Sequence, residues 1–345
     1  SGWSAGTGVR ATNGAGGCAG VGCCAKGSTS YGVANVNGST WTRLPCMSDT
    51  AFLSRASVTP SNGRRPAFVP GPRAAGYGCR MRICVWNVNS ARTRLDRMVG
   101  VLERHAIDVL AVQETKCRDD QFPAARFEEL GYEVAHHGLN QWNGVAIISR
   151  VGIDDVVTGF PGQPGFTKDQ DLEQLAEARH IAATCGGVRV HSVYVPNGRE
   201  IGDPHYDYKL RFLEALRDAG KASLDDDPAH KAMIGGDFNI APRDEDVWDM
   251  AFFEGKTHVT PPERAAFEAL QEAGFRDVTR EHTEGQWTYW DYQQLRFQKR
   301  QGMRIDFQLA TPALADTVAG AFIDREERKG KGASDHAPVI VDYDV

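Results

Sequence analysis

The run MRICVWNVNS, residues 81 to 90, decides how this chain is read. RICVWN (82 to 87) reads as a strand that halts on Asn87, and beyond it Leu95, Met98, Val99 and Leu102 recur at helical spacing. DVLAVQE (108 to 114) is the next strand. Strand, helix, strand is the alternation of an α/β protein. Further strands fit NGVAIIS (143 to 149), RHIAAT (179 to 184), VRVHSVYV (188 to 195), KAMIGGD (231 to 237), MRIDFQLA (303 to 310) and APVIVDY (337 to 343). Helices fit 206 to 222 and 262 to 273, and no internal repeat is visible.

Upstream of Met81 the character changes. Residues 1–80 are rich in Gly, Ala, Ser and Arg, without helical or strand periodicity, and hold eight Lys plus Arg, the single acid Asp49 and no Glu. Such a segment buries too little apolar surface to offset its ordering entropy, so disorder is expected. It reads either as an organelle transit peptide or as an upstream extension of a chain whose native start is Met81; the strand that opens at Met81 favours the extension. The expected division is a low-complexity segment over 1–80 and a catalytic domain over 81–345.

The whole chain carries 39 Lys plus Arg against 45 Asp plus Glu; without residues 1–80 the balance is 31 against 44, about −13. Bulk charge therefore argues against non-specific polyanion binding. Three local basic patches stand out: Arg92, Arg94 and Arg97; Arg296, Lys299, Arg300 and Arg304; and Arg325, Arg328, Lys329 and Lys331. Solvated faces and nucleic-acid contacts are equally good readings of them. No apolar stretch approaches the roughly 20 residues of a membrane-spanning helix, so no membrane partner is expected. Cys84, Cys117 and Cys185 are too scattered for a disulfide framework, which fits a reducing compartment. The Cys18 to Cys24 cluster lacks the paired spacing of a zinc site. The expected location is cytoplasmic and nucleoid-associated, with organelle targeting by residues 1–80 the lesser alternative.

Strand ends carry the chemistry. ICVWN stops at Asn87, VLAVQE at Glu114, VHSVYVPN at Tyr194 and Asn197, and AMIGGDFN at Asp237 and Asn239. RIDF adds Asp306, and GASDHAPV adds Asp335 and His336. In α/β sheets ligand sites collect at the carboxyl ends of strands. A turn explains one such motif well and six poorly. If they converge, oxygen ligands with a single histidine suit Mg²⁺ or Mn²⁺ better than zinc. A base for water, a cation on phosphoryl oxygens and donors aimed at developing charge are the parts that phosphodiester hydrolysis requires.

These residues resemble the exonuclease III and AP endonuclease branch of the endonuclease/exonuclease/phosphatase superfamily. The resemblance runs over essentially all of 81–345, through WNVNS, LAVQETKCRDDQFP, NGVAIISR, VYVPNGREIGDPHYDYKLRFL, GGDFNIAP, TYWDY, GMRIDF and SDHAPV. It implies a four-layer α/β sandwich, two facing mixed β-sheets flanked by helices, with a divalent-metal site at one edge. It also implies roles. Glu114 resembles the principal metal ligand with Asn87 beside it, and Asp335 the residue that supports the metal. Asp237 would orient or deprotonate water, Asn239 would help hold it, and His336 paired with Asp306 would contact the scissile phosphate. Tyr194 and Asn197 would meet phosphate or leaving group, and Lys116 would add positive charge. Arg92, Arg300 and Arg304 are the expected DNA contacts, and Tyr289, Trp290 and Met303 match positions that shape an abasic-sugar pocket.

The implied partner is double-stranded DNA with abasic sites or damaged 3′ ends, and the implied cofactor is Mg²⁺, with Mn²⁺ as a substitute. The reactions are incision 5′ to an abasic site, removal of 3′ blocking groups and 3′ to 5′ degradation, by a monomer. Met303 stands where relatives often carry Trp or Leu, Ser90 where many carry Gly, and Asn89 where some carry Asp; these departures bear on the balance of the two activities. The alternatives are a sibling phosphoesterase acting on RNA, inositol phosphate or phospholipid, and a non-catalytic nucleic-acid-binding regulator. The regulator ranks low because Glu114, Asp237, Asn239, Asp306 and His336 are all present.

Overall fold

The computed structural model describes residues 80–169 and 171–345. The expected disorder and start-site extension at residues 1–79 lie outside the described residues. Twelve strands follow in chain order among the described residues: β1 (Arg80–Asn87), β2 (Val109–Gln113), β3 (Glu133–His137), β4 (Val145–Ser149), β5 (Asp154–Thr158), β6 (His180–Cys185), β7 (Val188–Tyr194), β8 (Ala232–Asp237), β9 (Arg276–Asp277), β10 (Asp306–Ala310), β11 (Val318–Ile323) and β12 (Val339–Asp344). The helices are α1 (Leu95–His105), α2 (Ala124–Glu128), α3 (Pro204–Asp226), α4 (Met250–Phe253), α5 (Pro261–Glu272) and α6 (Pro312–Ala315).

The strands form two mixed six-stranded sheets, ordered β11-β12-β1-β2-β4-β3 and β5-β6-β7-β8-β10-β9. Each holds one parallel pair, β1 with β2 and β7 with β8, and the other neighbours run antiparallel. A parallel pair needs a long crossover. Here α1 and α3 supply it.

Alternation along β1 builds two of the layers. Ile83 and Val85 turn inward to meet Ile181, Val190 and Met233 of the second sheet, while Cys84 and Trp86 turn outward to Met98 and Leu102 of α1. On the far side Val193, Ile234, Phe307 and Leu309 pack against Tyr208, Phe212 and Leu216 of α3 and Phe267 and Leu270 of α5. Each such side chain contributes roughly 1.5–3 kcal/mol of burial. The result is helix, sheet, sheet, helix, the expected four-layer sandwich. Hydrogen bonds also cross between the sheets: Ser192 Oγ donates to the Val112 carbonyl at 2.8 Å, and Gln308 Nε2 to that of Ile83 at 3.0 Å.

Local signals set the helix ends. Asp203 accepts from the His205 amide with Pro204 following it, and Thr260 and Glu263 form a reciprocal capping box ahead of α5. α3 thus starts two residues before, and ends four after, the predicted 206 to 222. The strand predicted from Met303 begins only at Asp306. Met303 instead makes isolated bridges to Val247 and Tyr289, which pull residues 303–305 out of the sheet. Strands β3, β5, β9 and β11 were not expected; they are the outer strands of the two sheets.

Candidate active site

One edge of the sandwich gathers the polar strand ends. β1 finishes on Asn87, β2 leads into Glu114, β7 finishes on Tyr194 and β8 on Asp237. β10 runs antiparallel to β8, so its first residue, Asp306, lies opposite Asp237. β12 is antiparallel to β1 in the same way, which brings His336, just ahead of it, to that edge. Two of the clusters therefore arrive at strand beginnings. Glu114, Lys116, Asn89 and Asn239 all hold positive φ, between 46° and 54°. Non-glycine residues adopt such backbone at a cost of order 1–3 kcal/mol, and they concentrate at functional sites. Gly236 allows the strand to approach its neighbour closely, since a Cβ there would lie 1.8 Å from the Val193 carbonyl oxygen.

The side chains form a continuous network. Asn87 donates to Glu114 Oε1 at 2.9 Å and to Asp237 Oδ2 at 3.0 Å, so it presents its amide hydrogens, not its oxygen, to both carboxylates. Lys116 Nζ lies 2.7 Å from Glu114 Oε2 and donates to Asn89 Oδ1 at 2.6 Å, while Asn89 Nδ2 donates to Asp335 at 3.0 Å. His336 Nδ1 is 2.9 Å from Asp306 Oδ2, and its Nε2 is 3.7 Å from Asp237 Oδ2. The Asn239 amide N–H donates to Asp237 Oδ1 at 2.9 Å.

Burial and charge then set the protonation states. Burial pushes the Asp237 carboxyl up to about 7; the nearby His336 charge opposes this, and the Asp306 and Glu114 charges add to it. Burial works against a charged His336, but the Asp306 and Asp237 carboxylates outweigh it and raise the imidazole to about 10. Burial would also raise Glu114, yet the Lys116 charge and the hydrogen bonds from Lys116 and Asn87 bring it below the ordinary carboxylate range. Burial and the Glu114 charge push the Tyr194 hydroxyl far up, so it keeps its proton. At neutral pH the site holds a poised carboxyl, an imidazolium, an ionised glutamate and a phenol.

A pocket of about 370 Å³ opens over these groups. Its walls include Glu114, Lys116, Tyr194, Asn197, Asp237, Asn239, Asp335 and His336, with Tyr289 and Met303 on one side. Asn87 and Asp306 lie behind this wall. Two expectations fail. Trp290 is 1% exposed and packs with Ile323, Ala337 and Val339, so it is core and no part of an abasic pocket. Arg304 is 3% exposed and paired with Asp277 at 2.8 Å, so its charge is spent inside the protein and cannot meet DNA. Arg92 and Arg300 are exposed.

Sequence reasoning missed His258 and Trp142, which also line the pocket. His258 Nε2 is 3.2 Å from Asn239 Oδ1, and burial, helped by the Lys209 charge, drives its pKa down to about 4, leaving a neutral ring. Neither residue follows an apolar run. The capping box at Thr260 and Glu263, which places His258 just before a helix, was the available signal.

The donor set suits a hard divalent cation. Among the described residues, Asp237, Asp306 and His336 offer ligand atoms within 4.8 Å of one another, but the His336–Asp306 hydrogen bond already occupies part of that group. Glu114 and Asp335 are half-buried and belong to the open wall, where a cation could also meet a substrate oxygen.

Residues 84–336 match the model of the endonuclease/exonuclease/phosphatase family. The chain is 27% identical over 276 residues to exodeoxyribonuclease III of Haemophilus influenzae, covering 76% of this chain and all of that protein. It is similar in structure to a variant of the 3′ phosphatase NExo from Neisseria bound to a product DNA hairpin, at 35% identity and a TM-score of 0.70, over 77% of this chain and all of that one. An AP endonuclease from Archaeoglobus fulgidus is similar at 32% identity, with the same TM-score of 0.70 and the same coverage of both chains.

Proposed function

The chain belongs to the endonuclease/exonuclease/phosphatase family, and from that membership and its relatives we propose that it is a metal-dependent DNA repair nuclease of exonuclease III type. The observation that carries the reading is the placement, in one pocket, of a base, a cationic acid and a carboxylate set fit for a cation: Asp237, the Asp306-held His336, and Glu114 with Asp335.

Asp237 takes the proton of the attacking water. Its Oδ1 is fixed by the Asn239 amide and its Oδ2 by Asn87, so the carboxyl cannot rotate away. His336, with Nδ1 held by Asp306, turns Nε2 to the phosphoryl group and stabilises charge that grows there. Tyr194, protonated, donates to a phosphate or leaving-group oxygen. Asn197 and Asn239, bonded to each other at 3.0 Å, line the floor beneath the reacting phosphate. Glu114 and Asp335 would hold the cation, with Lys116 sharing Glu114; when bound it neutralises phosphoryl oxygens as a Lewis acid. We take Mg²⁺ as that ion, with Mn²⁺ as a substitute, and the enzyme as a cytoplasmic monomer with its catalytic domain over 81–345.

On substrate, the first reading is incision 5′ to an abasic site, with removal of 3′ blocking groups and slower 3′ to 5′ trimming. A second reading, 3′-end processing as the main activity, is supported by the 35% identity to a 3′ phosphatase. The test is incubation with Mg²⁺, and with EDTA as control, on three labelled duplexes: one with an abasic analogue, one with a 3′ phosphate and one with a recessed 3′ hydroxyl. Fast incision at the abasic analogue upholds the first reading, and fast release of phosphate upholds the second. Cleavage of none, with turnover of a small phosphoester, overturns both.

A further inference from the structure

Beneath the catalytic loop lies a lysine with no surface exposed. Lys209 on α3 and Glu263 on α5 are both fully buried, and their side chains form a close ion pair. A buried ammonium needs an acceptor for each of its protons. The three here are the Glu263 carboxylate, the main-chain carbonyl of Asn239 at 2.6 Å and that of Asn197 at 3.3 Å. These carbonyls belong to the two residues whose amides meet on the pocket floor. Gly198, at φ +92°, lets the chain close over the lysine stem; a Cβ there would lie 3.1 Å from Lys209 Cδ.

Scaffolding alone does not account for this arrangement. Glu263 already caps α5, taking the Thr260 amide at 3.1 Å and its hydroxyl at 2.7 Å through Oε2. Well-packed apolar side chains often stabilise such a space as well as a buried ion pair does. An apolar side chain cannot grip two carbonyls with charge-assisted bonds where Asn239 holds a left-handed backbone, φ +51°. Asn239 in turn fixes Asp237 through its amide N–H, so the lysine is two bonds from the base.

We infer that Lys209 is a positioning residue for phosphodiester cleavage: its ammonium, balanced by Glu263, ties the carbonyls of Asn197 and Asn239 and so sets both amides, and through Asn239 the Asp237 carboxyl, against the scissile phosphate. The inference rests on the nuclease reading above. Lys209 itself touches no substrate.

The test uses the full chain carrying Lys209→Met with Glu263→Gln, which removes both charges together and keeps side-chain volume. Turnover and KM are measured on a duplex that the wild type cleaves, per folded molecule, with the folded fraction taken from near-UV circular dichroism. Turnover is expected to fall about 100-fold with KM little changed, the order of loss for a reacting group displaced by about 1 Å. Glu263→Gln alone leaves a lysine beneath both carbonyls; it lowers the melting temperature, and turnover per folded molecule falls less than in the double variant. Adding Asn239→Ala to the double variant costs less than the same change in the wild type, because both act along one path. Turnover within about threefold of the wild type, or losses that multiply in full, overturn the inference. A wild type inert on every DNA duplex overturns this inference and the nuclease reading together, whereas an active wild type with an indifferent double variant overturns this one alone.

Discussion

Asp306 holds His336 from behind: the 2.9 Å contact at Nδ1 leaves Nε2 as the only ring nitrogen free to face the pocket. Replacing Asp306 by Asn keeps the shape but removes the charge that favours the imidazolium. Asp306→Asn is expected to lower the single-turnover cleavage rate about 10²- to 10³-fold, with DNA affinity unchanged. His336→Ala should fall further, and wild-type rates in either variant would remove that residue from the mechanism.

Glu114 and Asp237 share a donor in Asn87 yet do different work. Glu114→Gln weakens the cation site, so the Mg²⁺ concentration for half-maximal activity rises by about tenfold or more while activity recovers at high Mg²⁺. Asp237→Asn loses the base and falls about 10³-fold at every Mg²⁺ concentration. A Mg²⁺ titration of both variants separates them; identical curves would show that the two carboxylates have a common role.

His180 and His191 are hydrogen-bonded to each other at 2.9 Å on the second sheet. Burial drives His180 from 6.5 down to about 4, and His191 well below its usual value. The unfolded chain takes up protons that the folded chain refuses. Stability is therefore full above pH 6.5 and is lost as pH falls from there toward 4, by up to roughly 3 kcal/mol for His180. Urea unfolding midpoints at pH 7 and pH 5 measure it, and His180→Phe should reduce the difference, with His191 and His258 contributing the rest.

Arg304 and Arg300 lie four residues apart and have opposite consequences. Arg304→Ala takes from the buried Asp277 carboxylate its close cationic partner, while Asp246 keeps Arg280 at 2.7 Å, and is expected to cost about 3 kcal/mol of stability. Arg300→Ala leaves the melting temperature alone, weakens DNA binding and reduces the slope of log affinity against log salt by about 1. Thermal melts and a salt titration of binding decide both. An Arg304 variant as stable as the wild type would contradict the buried-pair assignment.

What was legible in the sequence follows from how strands are covered. The eight inner strands carry apolar runs because they have neighbours on both sides and layers above and below, and each was visible. The four missed are the sheet edges, such as Asp154–Thr158, whose residues are all exposed, and Val318–Ile323, which runs through a glycine. An edge needs neither apolar alternation nor length. The same physics separates the site residues. Asp237, Glu114 and His336 stand at the limits of apolar runs and announce themselves. Arg304 and Trp290 sit beside site residues in the sequence, yet each follows a residue of the isolated Tyr289–Met303 bridge, outside the sheet, and is turned inward there. Lys209 gave no signal, because a lysine on a helix reads as solvent-facing until a carboxylate from another helix is found beneath it.

The pairing of β1 with β12, from Arg80 against Asp344 to Val85 against Val339, has a bearing on the order of synthesis. Asn87 is made early and His336 some 250 positions later, and the strand that brings the histidine home comes later still. A chain still on the ribosome without its β12 can hold the second sheet but cannot close the first. His336 therefore reaches the pocket only when β12 pairs with β1, so the site is completed by the joining of two segments far apart in the chain.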